Sequence, residues 1–384
     1  MSAGITHTPH SPRLRGLFSA LQTGFIVVLL SACQAENKTA STTADTLCNA
    51  PGEDVNWQAL LTENCLKLSE YRLFDAAQNP RINPRSPGIA YRLNSALFTD
   101  FANKYRYVFI PPGEQATYLA QEAFNFPVGT VLVKVFALPQ SASSDAIMEI
   151  RLLIHRTRGW IGLAYRWQEG EENGVLDLNG ENITTQVWHD DHFSELTYNI
   201  PSAGNCKICH QFNVNDTSLM TPIGPKARLL NLSLQTQDGS INQLQWWQQL
   251  GLLINLPEDS STIEFAPDWH DEHYALQNRA KAYLDINCSH CHRDEGAAAL
   301  SGLRLEYWRE LSYQHGICNP AHGWRGGGYD IWPGNGDVSS LPLRMELTAA
   351  TDRMPPIGRS LTDQAAVDLM RTWINSLPAQ SCSE

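Results

Sequence analysis

Apolar and polar positions keep two different rhythms along this chain. From about residue 66 to 200 the rhythm is that of strands. KYRYVFIPPG (104–113) alternates ring-bearing and other side chains and stops at Pro-Pro-Gly, and FPVGTVLVKVFALP (126–139) is a β-branched run bounded by prolines. AIMEIRLLIHRTRGWIGLAYRWQ (146–168) reads as two strands turning at Thr157-Arg158-Gly159, and ENITTQVWHDDHFSELTYNIP (181–201) continues the pattern. Short strands separated by turn signals predict an antiparallel sandwich or barrel-like sheet.

Beyond residue 202 a helical period takes over. INQLQWWQQLGLL (241–253) brings Trp246, Trp247, Leu250 and Leu253 to helical spacing. YALQNRAKAYLDIN (274–287) sets Leu276, Ala280, Tyr283 and Leu284 on one stripe. Near the C-terminus Thr362 is placed to cap a helix carrying Ala366, Leu369, Met370, Trp373 and Ile374. The predicted class is α+β, an antiparallel β-rich N-terminal domain followed by mostly α-helical domains.

One apolar run fits neither rhythm. Leu17 to Leu30 follows Arg13 and Arg15 and is shorter than the about 20 residues of a spanning helix, which is the form of an export signal. Its end, Leu30-Ser31-Ala32-Cys33, resembles the bacterial lipobox, whose Cys becomes the lipidated first residue; an ordinary cleaved signal with Cys33 as a bystander is the alternative. With Gln34 rather than Asp following, that resemblance implies delivery to the outer membrane. Residues 33–47, polar and rich in Thr, Ser and Ala, are then a flexible tether.

The chemistry is concentrated in a pentapeptide that occurs twice. Cys-x-x-Cys-His appears as Cys206, Cys209 and His210 in NCKICHQF, and as Cys288, Cys291 and His292 in NCSHCHRD. Nine Cys and twelve His placed at random would give about 0.006 copies. The pattern is that of c-type haem attachment: two thiols on one face of a helical turn add to the two vinyl groups of one porphyrin, and the adjacent His takes the iron. A zinc site is the competing reading, since paired Cys-x-x-Cys also bind zinc, but the His after both second cysteines and the export signal favour two haems c. With Cys33 and these four set aside, Cys48, Cys65, Cys318 and Cys382 remain, an even number for an oxidising compartment. Three pairings are open, and Cys48–Cys65 with Cys318–Cys382 are the local ones.

Charge changes the picture less. The whole chain carries −12; removing residues 1–32 takes away two Arg and no acid, leaving −14. That argues against a nucleic-acid partner and suits solubility or steering of a basic redox partner. Between about 66 and 200 there is no Gly-rich phosphate loop and no nucleophile elbow. His189 and His192, three apart in WHDDHF, read as a solvated loop.

The sixth iron ligands decide between passing electrons and binding a substrate. For the second haem Met354, in DRMPPIG after the Gly-rich GWRGGGYDIWPGNG, is the candidate; Met345 and Met370 read as core. Helix, attachment site, Met-Pro turn and final helix resemble the class I cytochrome c arrangement, in which a Met followed by Pro closes over the far face of the haem. For the first haem Met220 in SLMTPIG is favoured over His155 in RLLIHRTRGW, and an open position stays as a third reading.

Together with SEYRLF (69–74), FPVGTVLVKVF, GWIGLAYRW, TPIGPKARLLN, RAKAYLDINCSHCH and RMPPIGRSL, these features resemble a family of exported bacterial dihaem c-type cytochromes, often lipoproteins with a β-rich N-terminal region. The resemblance spans roughly 66 to 378 and implies two covalent haems and a redox role. The expected organisation is a signal peptide (1–32), a tether (33–47), a β-rich domain (48–201), a first haem-binding region (202–273) and a class I cytochrome c-like domain (274–384). The expected function is electron transfer between redox partner proteins by a cytochrome tethered on the periplasmic side of a membrane through Cys33. A dihaem enzyme resembling a cytochrome c peroxidase, with one open haem, is the alternative, and a ligand-sensing β domain the third.

Overall fold

The computed structural model describes residues 46–75, 80–81, 83–168, 170, 173–215, 217–236 and 239–382. The signal segment 1–32, Cys33 and the tether up to residue 45 lie outside the described residues. Leu47–Glu384 forms one compact unit.

A six-stranded antiparallel sheet organises the first half: β1 (Ile89–Ala90), β2 (Asn103–Phe109), β3 (Val131–Ser141), β4 (Ser144–Arg156), β5 (Gly159–Gln168) and β6 (Asn173–Leu176), in that spatial order. The turn between β4 and β5 is Thr157-Arg158, closed by Gly159 at φ +107°, where a side chain would be strained. The third strand runs through Pro139 rather than stopping there, with its register shifting on either side. Bulged pairing of this kind is where a strand tolerates proline.

The two faces of the sheet differ in chemistry. On one, Tyr107, Phe109, Val131, Val133, Val135, Ile150, Leu152, Ile154 and Tyr165 pack on the N-terminal segment around Leu60, Cys65 and Tyr71. The helix α1 (Trp57–Thr62) lies there, and the Cys48–Cys65 disulfide fixes this segment. The opposite face is covered at two ends. A separate hairpin, β7 (Glu181–His189) and β8 (His192–Ile200), packs Val187, Leu196, Tyr198 and Ile200 against Phe136 and Ala164. At the other end Val108 and Leu132 meet Trp247, Leu230 and Leu253. The middle of this face is left for the site.

After the hairpin come α2 (Ala203–His210), the small hairpin β9 (Gln211–Val214) and β10 (Thr217–Met220), α3 (Ala227–Leu230) and α4 (Gln243–Gln249). The last of these is shorter than the predicted 241–253: Gly251, at φ +71°, ends the helix, and Leu253 instead pairs in parallel with Ala116. Trp247 is fully buried in the core, as its spacing suggested.

The C-terminal part contains α5 (Leu276–Asn287), α6 (Ser340–Glu346) and α7 (Gln364–Ser376), linked by long irregular segments. Ala280, Tyr283 and Leu284 of α5 pack with Ala366, Val367, Met370, Trp373 and Ile374 of α7, and Met345 joins the same core. The N-cap of α7 is Asp363, whose side chain accepts from Ala366 N, not Thr362; the Thr362 hydroxyl donates to the Glu346 carbonyl instead. Cys318 and Cys382 form the second disulfide. The fold is thus mixed α+β, with a large antiparallel sheet and several helices.

Candidate functional site

Both attachment segments are built on a helical turn. Ser202 caps α2 by accepting from Asn205 N, which starts the turn that sets Cys206 and Cys209 three apart. In the second segment α5 ends at Asn287, and the N–H groups of Cys288 and His292 donate to the carbonyls of Leu284 and Cys288, both at 2.9 Å. The cysteines and the histidine therefore ride one continued turn.

The two histidines are held in the same way. His210 Nδ1 lies 2.9 Å from the Thr221 carbonyl oxygen, which can only accept, so Nδ1 carries the proton. His292 Nδ1 lies 3.0 Å from Ser301 Oγ, whose own hydrogen is given to the Ala298 carbonyl at 2.7 Å. Both rings thus keep Nε2 as the free lone pair, the tautomer a metal-binding imidazole needs. Burial lowers each imidazole's pKa to about 4, so both are neutral near pH 7.

The segments also meet. Cys209, His290 and Cys291 bring their sulfur and nitrogen atoms within 4.8 Å of one another, and Cys291 Sγ faces the Ile208 carbonyl at 3.6 Å. Around this contact Asn213 N donates to the Glu295 carbonyl, and the Arg293 guanidinium, paired with Glu122, stacks over Phe212 at 4.4 Å. Beneath it the Arg228 side chain of α3 makes a two-point pair with Asp285 of α5, at 2.9 and 2.7 Å.

Cys206 and His210 open onto a cavity on the middle of the sheet. Its walls are apolar side chains, among them Leu93, Leu132, Leu153 and Ile223, together with Met220 and the cations Arg106, Lys134 and Arg151. Gly162 lies where this wall meets Cys206: a Cβ there would approach Cys206 Sγ to 3.4 Å and Met220 Cε to 2.9 Å. Met220, whose Cα pairs with Gln211 across the small hairpin, lines the same cavity. His155 is not among the cavity-lining residues; it stacks on Trp160 at 4.6 Å and bonds the Phe126 carbonyl.

Met354 sits on a loop pinned from two sides. Asp100 accepts from the backbone N–H groups of Ser360 and Leu361, and Arg359 donates to the carbonyls of Met345, Leu347, Met354 and Leu361. Met354 N donates to the Arg344 carbonyl, and the Arg344 charge is felt at His292. His189 and His192 sit at the exposed tip of their hairpin, where His189 stacks on Phe101 at 3.9 Å.

The residues fit a covalent tetrapyrrole better than zinc. A structural zinc site closes with four ligands. The Cys209–His290–Cys291 cluster supplies three, and it leaves Cys206, Cys288 and both proton-locked histidines without a role. Haem attachment uses all six motif residues. Arg106 Nη2, buried with no hydrogen-bond partner, adds a polar atom that a ligand has yet to satisfy. Comparison with known proteins finds no matching family, no matching curated protein and no matching solved structure.

Proposed function

We propose that this chain is a dihaem c-type cytochrome that passes electrons between redox partners, tethered on the periplasmic side of a bacterial membrane through Cys33. The observation that carries the reading is the pair of attachment segments, alike in their locked imidazoles and in contact through Cys209 and Cys291. Cys206 and Cys209 would hold one haem with His210 on its iron, and Cys288 and Cys291 the other with His292. Bound haem supplies one-electron redox chemistry at each site.

The chain's part is to fix, insulate and join. Thr221 and Ser301 fix the two imidazoles, and accepting from Nδ1 raises the basicity of Nε2. Leu132, Leu153 and Leu93 keep water from the first site. Because Cys209 and Cys291 are adjacent, the two sites share an edge, as a relay requires. Met354 and Met220 are the thioethers offered to the second and first irons; the pinned loop supports the former and the cavity position the latter. Helices α5 and α7, packed on each other beside the second segment, are what a class I cytochrome c-like domain would use.

The test is haem content and low-temperature EPR on the oxidised protein matured in a periplasm. Two haems per chain and two low-spin ferric signals are expected. Fewer than two haems would overturn the reading, and a high-spin signal would replace the relay with a dihaem enzyme.

A further inference from the structure

Among the described residues, the cavity beside His210 is lined by the cations Arg106, Lys134 and Arg151 and by no Asp or Glu. Their placement follows from strand register. Arg106 of β2 lies directly opposite Lys134 of β3, and Lys134 directly opposite Arg151 of β4. All three belong to the sheet face that turns away from the N-terminal core. Like charges directly opposed on adjacent strands destabilise a sheet, so an uninterrupted row of three calls for a compensating anion.

Among the described residues Arg151 finds it. Arg151 makes a two-point pair with Glu149, at 2.9 and 2.5 Å, and Glu149 also accepts from the Tyr198 hydroxyl. Among the described residues no carboxylate lies within ion-pair distance of Arg106 or Lys134. Arg106 donates once, to the Lys104 carbonyl, and its Nη2 is unsatisfied. Burial and the neighbouring Arg106, Lys104 and Arg151 press the Lys134 ammonium far below its ordinary pKa. Two cations are left, both facing the empty volume.

The row also has a direction. Its β4 end lies next to the strand where Gly162 touches Cys206, the point of thioether attachment. Its other end, Arg106, is three strand steps, about 14 Å at about 4.8 Å per step, from Ala164, which lies opposite Arg151 and two residues along the strand from Gly162. There Arg106 also borders a second opening lined by Arg92 and Lys104. A porphyrin attached by its vinyl edge at Cys206 carries its two carboxylates on the opposite edge.

We propose that Arg106 and Lys134, with Arg151 completing the row, seat the two propionates of the haem held by Cys206, Cys209 and His210. The charges balance, with two unanswered cations for two carboxylates. The inference rests on the haem reading above. Arg106 and Lys134 are positioning residues. They neutralise the propionate edge, which favours the reduced iron and raises the potential of that haem alone.

The test uses the matured protein and the variants Arg106→Gln, Lys134→Gln and Arg106→Lys. Haem per chain and the two midpoint potentials are read on the same samples. Both Gln variants are expected to keep two haems, since attachment is through the cysteines. The reduction equilibrium of one haem should fall at least tenfold, 59 mV for a one-electron couple, while the other stays unchanged. Arg106→Lys should recover most of the loss, which a merely structural role of Arg106 would not predict. Should Lys134→Gln fail to mature, Arg106→Gln decides. Two haems with both potentials unmoved would overturn the propionate seat and leave the haem reading standing. A wild-type chain lacking the haem at Cys206 would overturn the haem reading itself.

Discussion

Asp285→Asn removes the charge that pairs α3 with α5, one turn before the second Cys-x-x-Cys-His segment. Asp285 is 2% exposed and lies one turn before Cys288, while Arg228 is fully buried on α3. The carboxylate accepts from Arg228 Nε and Nη2 at 2.9 and 2.7 Å, from Tyr307 N at 3.2 Å and from Ser289 Oγ at 3.2 Å, with Lys226 Nζ at 3.6 Å. An amide keeps part of the geometry but leaves two buried cations without the carboxylate between them, with Glu264, 3.7 Å from Arg228, and the more distant Glu122 to answer them. Breaking a buried pair from one side costs about 3–5 kcal/mol, a large share of the about 5–15 kcal/mol that holds a protein folded. Guanidinium unfolding followed by far-UV circular dichroism should show that loss. The triple replacement Lys226→Met, Arg228→Met, Asp285→Leu should lose less than Asp285→Asn alone, because it removes both buried cations together with the carboxylate and leaves only the partly exposed Glu264 without its arginine. Acid gives an independent reading. Burial pushes the Asp285 carboxyl up, but Lys226 and Arg228 pull it further down, to a net pKa below the ordinary range. Its contribution is therefore complete above the unfolded value of about 3.9 and is lost as pH falls through the lower folded value. The stability difference between wild type and Asp285→Asn should be largest near pH 7 and close below about pH 4. A loss under about 1 kcal/mol at pH 7, with no narrowing in acid, would refute the argument.

Two further outcomes follow from the same structure. Met354→Ala should leave both haems attached, turn one high-spin and lower its potential by at least tenfold in the reduction equilibrium, 59 mV for one electron; unchanged optical and EPR spectra would remove Met354 from the iron. Replacing Cys318 and Cys382 by Ser opens a loop with a sequence separation of 64 and should cost about 4 kcal/mol, read as a lower unfolding midpoint with haem content unaffected.

What could be read from the sequence was local. Alternation located β2 to β5 and β7 to β8 because one side of each strand faces a core, and the stripe Leu276, Ala280, Tyr283, Leu284 marked α5 for the same reason. The errors were local as well. Leu250 and Leu253 continued a helical spacing that the backbone of Gly251 does not follow, and Thr362 was the nearest hydroxyl to a helix that Asp363 caps. The two disulfides join the neighbours that short loops favour. The six motif residues were legible because their spacing is dictated by chemistry rather than by packing.

The cation row and the joint between the segments were not legible, because both depend on register and on distant partners. Lys134 interrupts VLVKVF, a run otherwise apolar on both faces, and Arg106 interrupts YRYVF. Each looks like a single solvated position until the pairing sets them side by side with Arg151. The same is true of Lys226-Ala227-Arg228 and Asp285, which read as surface charges in two separate segments. A strand that places a cation where its neighbours are apolar, on three consecutive strands at one level, loses stability unless something negative arrives. A helix that buries an aspartate one turn before an attachment cysteine likewise needs its arginine in place before the segment is rigid. On the haem reading proposed above, the row would receive the cofactor's carboxylates, while the buried Arg228–Asp285 pair ties α3 to α5 whether or not a cofactor is bound.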